Sequence, residues 1–495
     1  MKTFLMHPDQ DFDLSFLTGN RQIPFARDIE LGVLLEAAAA GDKYLHEIMS
    51  AACAGAWNND VKTIRYRQGI LKDCLANTAT MRQFYAIAIE PFSRERSWSF
   101  SLYGRDASAM VGSSVMTLQS CLEILRRLRD TCFRTRSQFT SRGFLQFFDT
   151  LARDLDDAYF SAAAADLMNL SFNSGLLLSA QIGEGGKGAG TMLRKPQPRD
   201  LSWIRQILTP GAESYTLQLH PRDEAGAQAF TELKERGLRL ISDALYRSAE
   251  HVLNFLKALR AELAFYIGCI NLHERLVQIG ETTCFPEVTE APGHFSCRNL
   301  RDTCLALTMN QKVVGNDVDA NGKPLVIITG ANRGGKSTFL RSVGLAQLMM
   351  QCGMFVTADA FAGSVHTGLF THYKREEDRS MRSGKFDDEL VRMSTIADRM
   401  RRGALVLFNE SFAATHEREG SEIARQIVTA LRESDVTIFY VSHMYEFARS
   451  FLDDKNVLFL RADRDDDGGR SFRLREAKPL SQSFGADLYH RIFLA

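Results

Sequence analysis

The chain has 495 residues, of which 45% are hydrophobic and 24% charged, and its 60 Lys and Arg residues balance 60 Asp and Glu residues. This length exceeds what one hydrophobic core usually supports, so we expect two or three domains. The balanced charge excludes any argument from bulk electrostatics for nucleic-acid or membrane binding, and DNA contacts would need a local cluster of cations.

The cysteines and the apolar runs bear on the cellular compartment. The nine cysteines are scattered without a C-x-x-C pair, which favours reduced thiols and disfavours a zinc site. The N-terminal apolar run is interrupted at His7 and Pro8, unlike that of a signal peptide. No apolar run approaches the roughly 20 residues that span a bilayer. We therefore expect a cytoplasmic protein without membrane contact.

Two regions of different pattern come first along the chain. Residues 1–167 are expected to form a helical core, because apolar residues recur at steps of three and four from about Ile29 to Leu128. Residues 168–222 contain strand-like stretches, a glycine-rich loop and the basic segment LRKPQPRD, which together predict a β-rich insertion. The glycine loop fits G-x-G-x-x-G but is followed by prolines and not by a helix, so a loop tip is the better interpretation.

The second half begins with a long helical pattern and ends with alternating elements. Residues 223–298 are predicted to form a helical lever, since fifty residues of helix would reach roughly 75 Å. Gly237 and Gly268 weaken the case for an unbroken helix. Over residues 299–495 apolar runs alternate with helical segments, which predicts an α/β domain with a parallel sheet. The predicted fold class is multidomain: an all-α core and lever region with a small β-rich insertion, followed by an α/β P-loop domain.

One motif predicts a phosphate-binding loop. Residues 330–337 fit G-x-x-x-x-G-K-S, with a predicted strand before them and a predicted helix after them. Backbone N–H groups would cradle phosphates, Lys336 would reach the β- and γ-phosphates, and the Ser337 hydroxyl would coordinate Mg²⁺. The expected nucleotide-binding residues are Gly330, Ala331, Asn332, Arg333, Gly334, Gly335, Lys336, Ser337 and Thr338.

A second apolar run, Ala404–Phe408, ends on Asn409 and Glu410, where a nucleotide hydrolase usually has Asp-Glu. Glu410 is the candidate for orienting or activating the attacking water, although a surface carboxylate at a strand end is the alternative. Asn409 is the candidate second metal position beside Ser337. It keeps an oxygen that can accept from a metal-bound water but lacks the charge, which predicts weak Mg²⁺ binding and slow hydrolysis.

These motifs resemble those of a known family. TGANRGGKST is similar to the T-G-x-N-x-G-G-K-S-T loop of the MutS family of DNA mismatch-repair ATPases. VVGNDV before the loop, ALVLFNESFAATHEREG at the acidic strand end and TIFYVSHMYEF after it follow the course of the same family. The resemblance is specific from about residue 299 onward, and it extends to the preceding helices in layout only.

The resemblance implies an ATPase with ATP and Mg²⁺ as cofactors, acting as a homodimeric, ATP-driven DNA clamp in DNA repair or recombination. His443 would occupy the switch position that senses the γ-phosphate, although a lone histidine at a strand end is more often structural. Ser383, Gly384 and Lys385 would complete the nucleotide site of the partner subunit. The insertion would take the place of the DNA clamp, and its candidate phosphate contacts are Lys187, Arg194, Lys195 and Arg199.

The chain also departs from the family pattern. Because the helical core starts almost at once and the sequence ends after the ATPase region, we expect neither the family's mismatch-recognition domain nor an appended nuclease domain. The signature RSGKFDDEL keeps Phe386 and Glu389, but Gly384 falls where the family has a phosphate-contacting serine. The glycines after the acidic strand end are replaced by residues 411–416. The sequence therefore indicates a short, divergent MutS-like protein, and an ATP-gated scaffold that binds a protein partner without DNA stays open as the alternative.

Overall fold

The computed structural model describes residues 1–13, 23–93, 107–172, 176–183, 188–194, 220, 222–374, 384–462 and 471–480. The chain divides into two compact units. Unit 1 comprises Met1–Thr3, Gln83–Ser137 and Gln146–Arg260, and unit 2 comprises Phe4–Arg82, Gln138–Leu145 and Ala261–Ala495. Helices and several sheets make up the described residues, so the fold is that of a multidomain α/β protein.

The helices, in chain order, are α1 (Leu31–Ala39), α2 (Lys43–Ala54), α3 (Val61–Ala76), α4 (Thr78–Ser93), α5 (Ala107–Thr135), α6 (Arg142–Asp154), α7 (Asp157–Leu170), α8 (Glu224–Gln278), α9 (Thr303–Met309), α10 (Lys336–Gln351), α11 (Lys385–Arg399), α12 (Glu417–Glu433) and α13 (Tyr445–Arg449). The strands are β1 (Leu178–Ile182), β2 (Gly188–Leu193), β3 (Glu287–Thr289), β4 (Phe295–Leu300), β5 (Asn316–Asp319), β6 (Leu325–Gly330), β7 (Ala360–Ser364), β8 (Leu369–Tyr373), β9 (Leu405–Asn409), β10 (Thr437–Val441), β11 (Val457–Ala462) and β12 (Leu474–Glu476).

Unit 1 combines helices with one antiparallel hairpin. β1 and β2 pair with each other, and the hairpin packs closely on α8 at Gly237, where a Cβ would lie 2.6 Å from Leu178 Cδ2. The ring of Phe160 in α7 is buried, and the guanidinium groups of Arg126 and Arg129 in α5 each lie 4.9 Å from its centroid. Two of the basic side chains of α5 are thereby used for packing within this unit.

The long helix α8 is continuous through Gly237 and Gly268, although glycine is unfavourable in a helix interior. Its residues up to Arg260 belong to unit 1 and the rest to unit 2. Gly268 lies in unit 2, where a Cβ would come within 2.7 Å of the side chain of Met49. At both glycines the gain is close packing against another element, and this packing outweighs the propensity cost of about 1 kcal/mol for each.

In unit 2 the N-terminal segment is fastened to α8 by a buried carboxylate. Glu262 is fully buried and accepts hydrogen bonds from the backbone N–H groups of Leu5 and Phe12, at 2.7 and 2.9 Å. The hydroxyl of Tyr266, one turn further along, donates to the Leu5 carbonyl at 2.6 Å. The backbone of the segment therefore provides hydrogen bonds to a carboxylate that would be costly to bury alone.

The centre of unit 2 is a six-stranded sheet in the order β12-β11-β6-β10-β9-β8. β6, β8, β9, β10 and β11 run parallel, while β12 pairs antiparallel with β11. The apolar runs of β6 and β9 are almost entirely buried, as expected for strands covered on both faces. β12 follows β11 in the chain and pairs directly with it, so it adds one antiparallel edge strand to the otherwise parallel sheet.

A second sheet of four strands, β3-β7-β4-β5, also belongs to unit 2. It mixes one parallel pair, β3 with β7, with two antiparallel pairs. Phe295 of β4 contacts Phe439 of β10, with ring centroids 4.9 Å apart, so the two sheets share part of one core. β5 leads from this small sheet towards β6 and the glycine loop.

Candidate functional site

The glycine loop lies between β6 and α10, where several backbone positions have no room for a side chain. Gly330 has φ of 108°, and a Cβ there would lie 2.8 Å from backbone atoms of Ala462 in β11. Gly335 has φ of 87°, and a Cβ at Gly334 would meet the Ala462 side chain at 2.8 Å. Glycine is therefore required at these positions both by backbone conformation and by the close approach of β11.

Lys336 is the first residue of α10, and its side chain turns back into the loop. It is buried, and its Nζ donates to the carbonyls of Gly330 and Ala331, both at 2.9 Å. Burial lowers the pKa of Lys336 to about 8, and the nearby charge of Glu410 opposes this shift. The loop thus holds one cation close to the N-terminal amides of α10, where a helix most readily accepts an anion.

Ser337 joins the loop to the end of β9. Its Oγ donates to Asn409 Oδ1 at 2.9 Å. Mg²⁺ binds oxygen ligands, and these two oxygens at the edge of the loop fit such an ion. Both oxygens are neutral, so the pair would hold the ion less tightly than a serine–aspartate pair would.

Glu410 and His443 lie together at the ends of the neighbouring strands β9 and β10. His443 Nε2 is 2.9 Å from Glu410 Oε1, and because a carboxylate only accepts, Nε2 carries the proton. This hydrogen bond holds the pKa of Glu410 below its ordinary value, while partial burial opposes the shift. The charges of Lys374 and Lys336 also lower it. Glu410 is therefore a carboxylate near neutral pH and can accept a proton or a hydrogen bond from water.

A cleft of roughly 510 Å³ opens beside these groups, a volume within the usual range for small-molecule sites. Residues 332–338 of the loop and α10 line it, together with Glu410. Met309, Val314 and Phe472 form an apolar part of the lining and remain 51%, 43% and 46% exposed. This apolar wall was not predicted as part of the site. Only the structure reveals this wall, because it shows large apolar side chains left exposed beside the glycine loop, and exposed apolar patches often mark binding sites.

The segment expected to act in the partner subunit lies apart from this cleft. Gly384 precedes α11 and Lys385 begins it, and among the described residues neither lines the cleft. Ser383 lies outside the described residues. The site residues thus separate into a set that the structure brings together around the cleft and a set on α11 that it does not.

Of the four residues predicted to contact DNA, the structure describes only Arg194. This exposed residue follows β2, and its Nε donates to Ser179 Oγ of β1 at 2.9 Å. Its backbone N–H donates to the Leu177 carbonyl, so the residue continues the pairing of the hairpin. Lys187, Lys195 and Arg199 lie outside the described residues.

Two kinds of feature are absent from the part of the chain that the structure describes. No helix there combines the length and the apolar character that crossing a membrane would require. No group of three or more His, Cys, Asp or Glu side chains in the same ranges is placed to hold a metal ion. The Ser337–Asn409 pair remains the candidate metal position, because Ser and Asn are not among the four residue types of such groups.

The fold and the cleft together define a multidomain α/β protein with a strand–glycine loop–helix arrangement beside the cleft. Two family models match the chain. The MutS2 N-terminal domain matches residues 59–279, and MutS domain V matches residues 326–488. The two models together cover most of the chain, and it belongs to the MutS family.

Curated relatives match over a part of the chain. The DNA mismatch repair protein MutS of Chloroflexus aurantiacus is 29% identical over 196 residues, 38% of this chain and 20% of that protein. The Endonuclease MutS2 of Lacticaseibacillus casei is 32% identical over 149 residues, 30% of this chain and 19% of that protein. The DNA mismatch repair protein MutS of Thermus aquaticus is 30% identical over 176 residues, 35% of this chain and 22% of that protein. The matched region therefore spans about a fifth of the length of these relatives.

Proposed function

We propose that this protein binds ATP, hydrolyses it slowly, and acts as a dimeric, ATP-driven DNA clamp of the MutS type in DNA repair or recombination. The observation that carries the proposal is one cleft that combines the buried Lys336, the Ser337–Asn409 pair and the Glu410–His443 pair. Phosphate binding, metal binding and water activation each have a candidate group there. The relatives named above, which include DNA mismatch repair proteins, support the assignment to DNA.

The phosphate-binding groups and the apolar part of the cleft lining suit the two ends of ATP. Lys336 Nζ would exchange its contacts with the loop carbonyls for charge-assisted bonds to phosphate oxygens, which are stronger. The amides of the loop would hold the rest of the triphosphate. Met309, Val314 and Phe472 provide an apolar surface against which a nucleobase would lose water-exposed area.

Mg²⁺ would be held by Ser337 and Asn409 together with phosphate oxygens. When bound there it would neutralise charge that develops on the phosphoryl group. Glu410 Oε2 would then orient or deprotonate the attacking water, while Oε1 keeps its bond to His443. Because Asn409 supplies no charge, the metal would be held weakly, and we infer slow turnover.

The remaining assignments rest on the family. Gly384 and Lys385, at the start of α11, and Ser383 before them would contact the nucleotide of the partner subunit. We assign residues 1–167 to a helical core, 168–222 to the clamp-like insertion, 223–298 to the lever and 299–495 to the ATPase domain. All nine cysteines are free and all except Cys284 are buried, which supports a cytoplasmic location.

The test is the affinity for DNA with and without nucleotide. Fluorescence anisotropy with duplex, branched and single-stranded DNA is measured in ATP, in a non-hydrolysable analogue and without nucleotide. We expect the affinity for at least one DNA to depend on nucleotide and to fall with salt, with a log–log slope of about 0.9 per phosphate contact. Absence of binding to every DNA at low salt would refute the clamp and leave the ATP-gated scaffold as the alternative.

Charge variants locate the DNA-binding residues within the same assay. Replacing Lys187, Arg194, Lys195 and Arg199 by alanine should lower the affinity and reduce the slope by up to about 1 for each cation that binds a DNA phosphate. Arg153→Ala is the matched control, because Arg153 is an exposed arginine of α6 whose ion pair is with the adjacent Asp154. An unchanged slope in the fourfold variant would place the DNA elsewhere.

A further inference from the structure

The backbone that follows the strand end has an unusual conformation. Glu410 and Phe412 both have left-handed backbone angles, with φ of 54° and 62°. This conformation is unfavourable for a non-glycine residue, so it persists only where the surroundings determine it. The direction in which the Glu410 side chain leaves the backbone therefore depends on the contacts that hold these residues.

Three contacts fix the backbone of residues 410–412. The N–H of Glu410 donates to the Val441 carbonyl at 2.9 Å. The buried Tyr440 hydroxyl donates to the Ser411 carbonyl at 2.8 Å. The N–H of Phe412 donates to Glu389 Oε2, also at 2.9 Å. The first two contacts come from β10, a central strand of the sheet, while the third comes from α11.

His372, at the end of β8, connects the same three residues to α11. It is fully buried, and its Nε2 lies 3.0 Å from the Glu389 carbonyl, so Nε2 carries a proton. Its Nδ1 lies 2.7 Å from Ser411 Oγ. The ring of Phe412 stacks on His372, with centroids 5.0 Å apart and planes at 17°. Gly420 in α12 leaves the room for this arrangement, since a Cβ there would lie 2.3 Å from the Phe412 carbonyl.

Glu389 is thus the point where α11 meets the strand end. Its side chain accepts from the backbone of Phe412 and its carbonyl accepts from His372. It lies about one turn into α11, the helix that begins directly after Gly384. Ser411 and Phe412 are fully buried, and both are hydrogen-bonded or stacked against residues that contact α11, so this segment has little freedom to rearrange independently of α11.

We propose that Glu389 and His372 are positioning residues for Glu410, which transmit the position of α11 to the carboxylate that acts on the water. Movement of the Gly384–Lys385 end of α11 then changes the rate of hydrolysis in the cleft of the same chain without changing how the cleft binds ATP. The inference rests on the proposed ATP hydrolysis.

The test separates binding from turnover in a series of variants. Glu389→Ala removes the acceptor of the Phe412 N–H, whereas Glu389→Gln keeps an oxygen that can accept it. We expect Glu389→Ala to lower kcat by about tenfold or more at unchanged ATP affinity, as a small misplacement of a reacting group does. Glu389→Gln should restore most of the rate. Equal rates in Glu389→Ala and the wild type would overturn the proposal, and so would equal losses in the alanine and glutamine variants.

A matched control and a milder variant keep the result interpretable. Asp60→Ala removes the same kind of bond, from the Thr63 N–H at 2.8 Å, at the start of α3 and should leave kcat unchanged. If Glu389→Ala does not fold, Ser411→Ala removes only a hydroxyl from the network and should lower kcat with ATP affinity retained. A wild-type protein that binds ATP without hydrolysing it would contradict the proposed hydrolysis, whereas active wild type with unaffected variants contradicts only the positioning role.

Discussion

The two sides of the phosphate end of the cleft are held in different ways. On the glycine-loop side, Gly330, Gly334 and Gly335 present backbone groups, and Lys336 is held by carbonyls of the same loop. On the strand-end side, Glu410 and its neighbours depend on side chains from β8, α11 and β10 and on His443, which follows β10. The first side is local in sequence and the second is tertiary. ATP binding and ATP hydrolysis should therefore respond to different substitutions.

The largest effect is expected on the glycine-loop side. Lys336→Ala removes the buried ammonium and should weaken ATP binding by about a hundredfold or more, because several charge-assisted bonds to phosphate are lost. Isothermal titration calorimetry measures the affinity. Lys43→Ala is the control, since Lys43 is 91% exposed and pairs only loosely with Glu47. Unchanged ATP affinity in Lys336→Ala would contradict the assignment of the loop.

On the strand-end side the change should appear in rate and not in affinity. Glu410→Gln keeps the size of the side chain and an acceptor for His443 but cannot take a proton from water. We expect kcat to fall about a hundredfold while ATP affinity is retained. The control Glu422→Gln removes an exposed carboxylate of α12 that pairs with Arg425. A parallel loss of affinity would show that Glu410 belongs to the binding side, and the contrast between the two sides would fail.

The same contrast explains which parts could be predicted from sequence. The strand, loop and helix around Lys336 could be predicted from a motif of eight consecutive residues and its flanks. The apolar run, the glycines and the start of the helix are all local signals in the sequence. The four-stranded sheet was not predicted. Its strands are short and pair across long separations, as β3 does with β7, so register depends on tertiary packing. The network of His372, Glu389 and Ser411 joins three distant segments. Glu389 belongs to the signature segment, but no local signal indicates that it contacts the end of β8 and the residues after β9.

Electrostatics provides a third test, on the loop side. Burial lowers the pKa of Lys336 to about 8 in the free protein, so the ammonium that binds phosphate is lost as pH rises through that value. ATP affinity should be nearly constant well below pH 8 and should weaken by up to about tenfold per pH unit above it. Proton uptake on binding near pH 8, measured by calorimetry in buffers of different ionisation enthalpy, provides the check. The uptake should disappear in Lys336→Ala, and its persistence there would assign it to another group.

The smallest expected effect lies where the two sides meet, at Ser337 and Asn409. Asn409→Asp places a charge on the oxygen that accepts from Ser337 Oγ, and a charged acceptor strengthens both that bond and the attraction for Mg²⁺. With Mg²⁺ present, we expect severalfold tighter metal binding and faster hydrolysis, worth about 1 kcal/mol. With Mg²⁺ removed by chelation, the same variant should bind ATP more weakly than the wild type, because the new charge repels the phosphates.

The opposite effects of Asn409→Asp with and without Mg²⁺ distinguish a metal position from a general effect of charge. Asn456→Asp adds the same charge at an exposed residue just before β11, and it should change neither metal binding and hydrolysis with Mg²⁺ nor ATP binding without it. If Asn409→Asp weakens ATP binding equally with and without Mg²⁺, the oxygen pair does not face the ion. If it changes nothing, Asn409 serves only to orient Ser337. The reversal would place the metal between the glycine loop and the strand end, so that weak binding of this ion, and not a defect in Glu410, limits the rate.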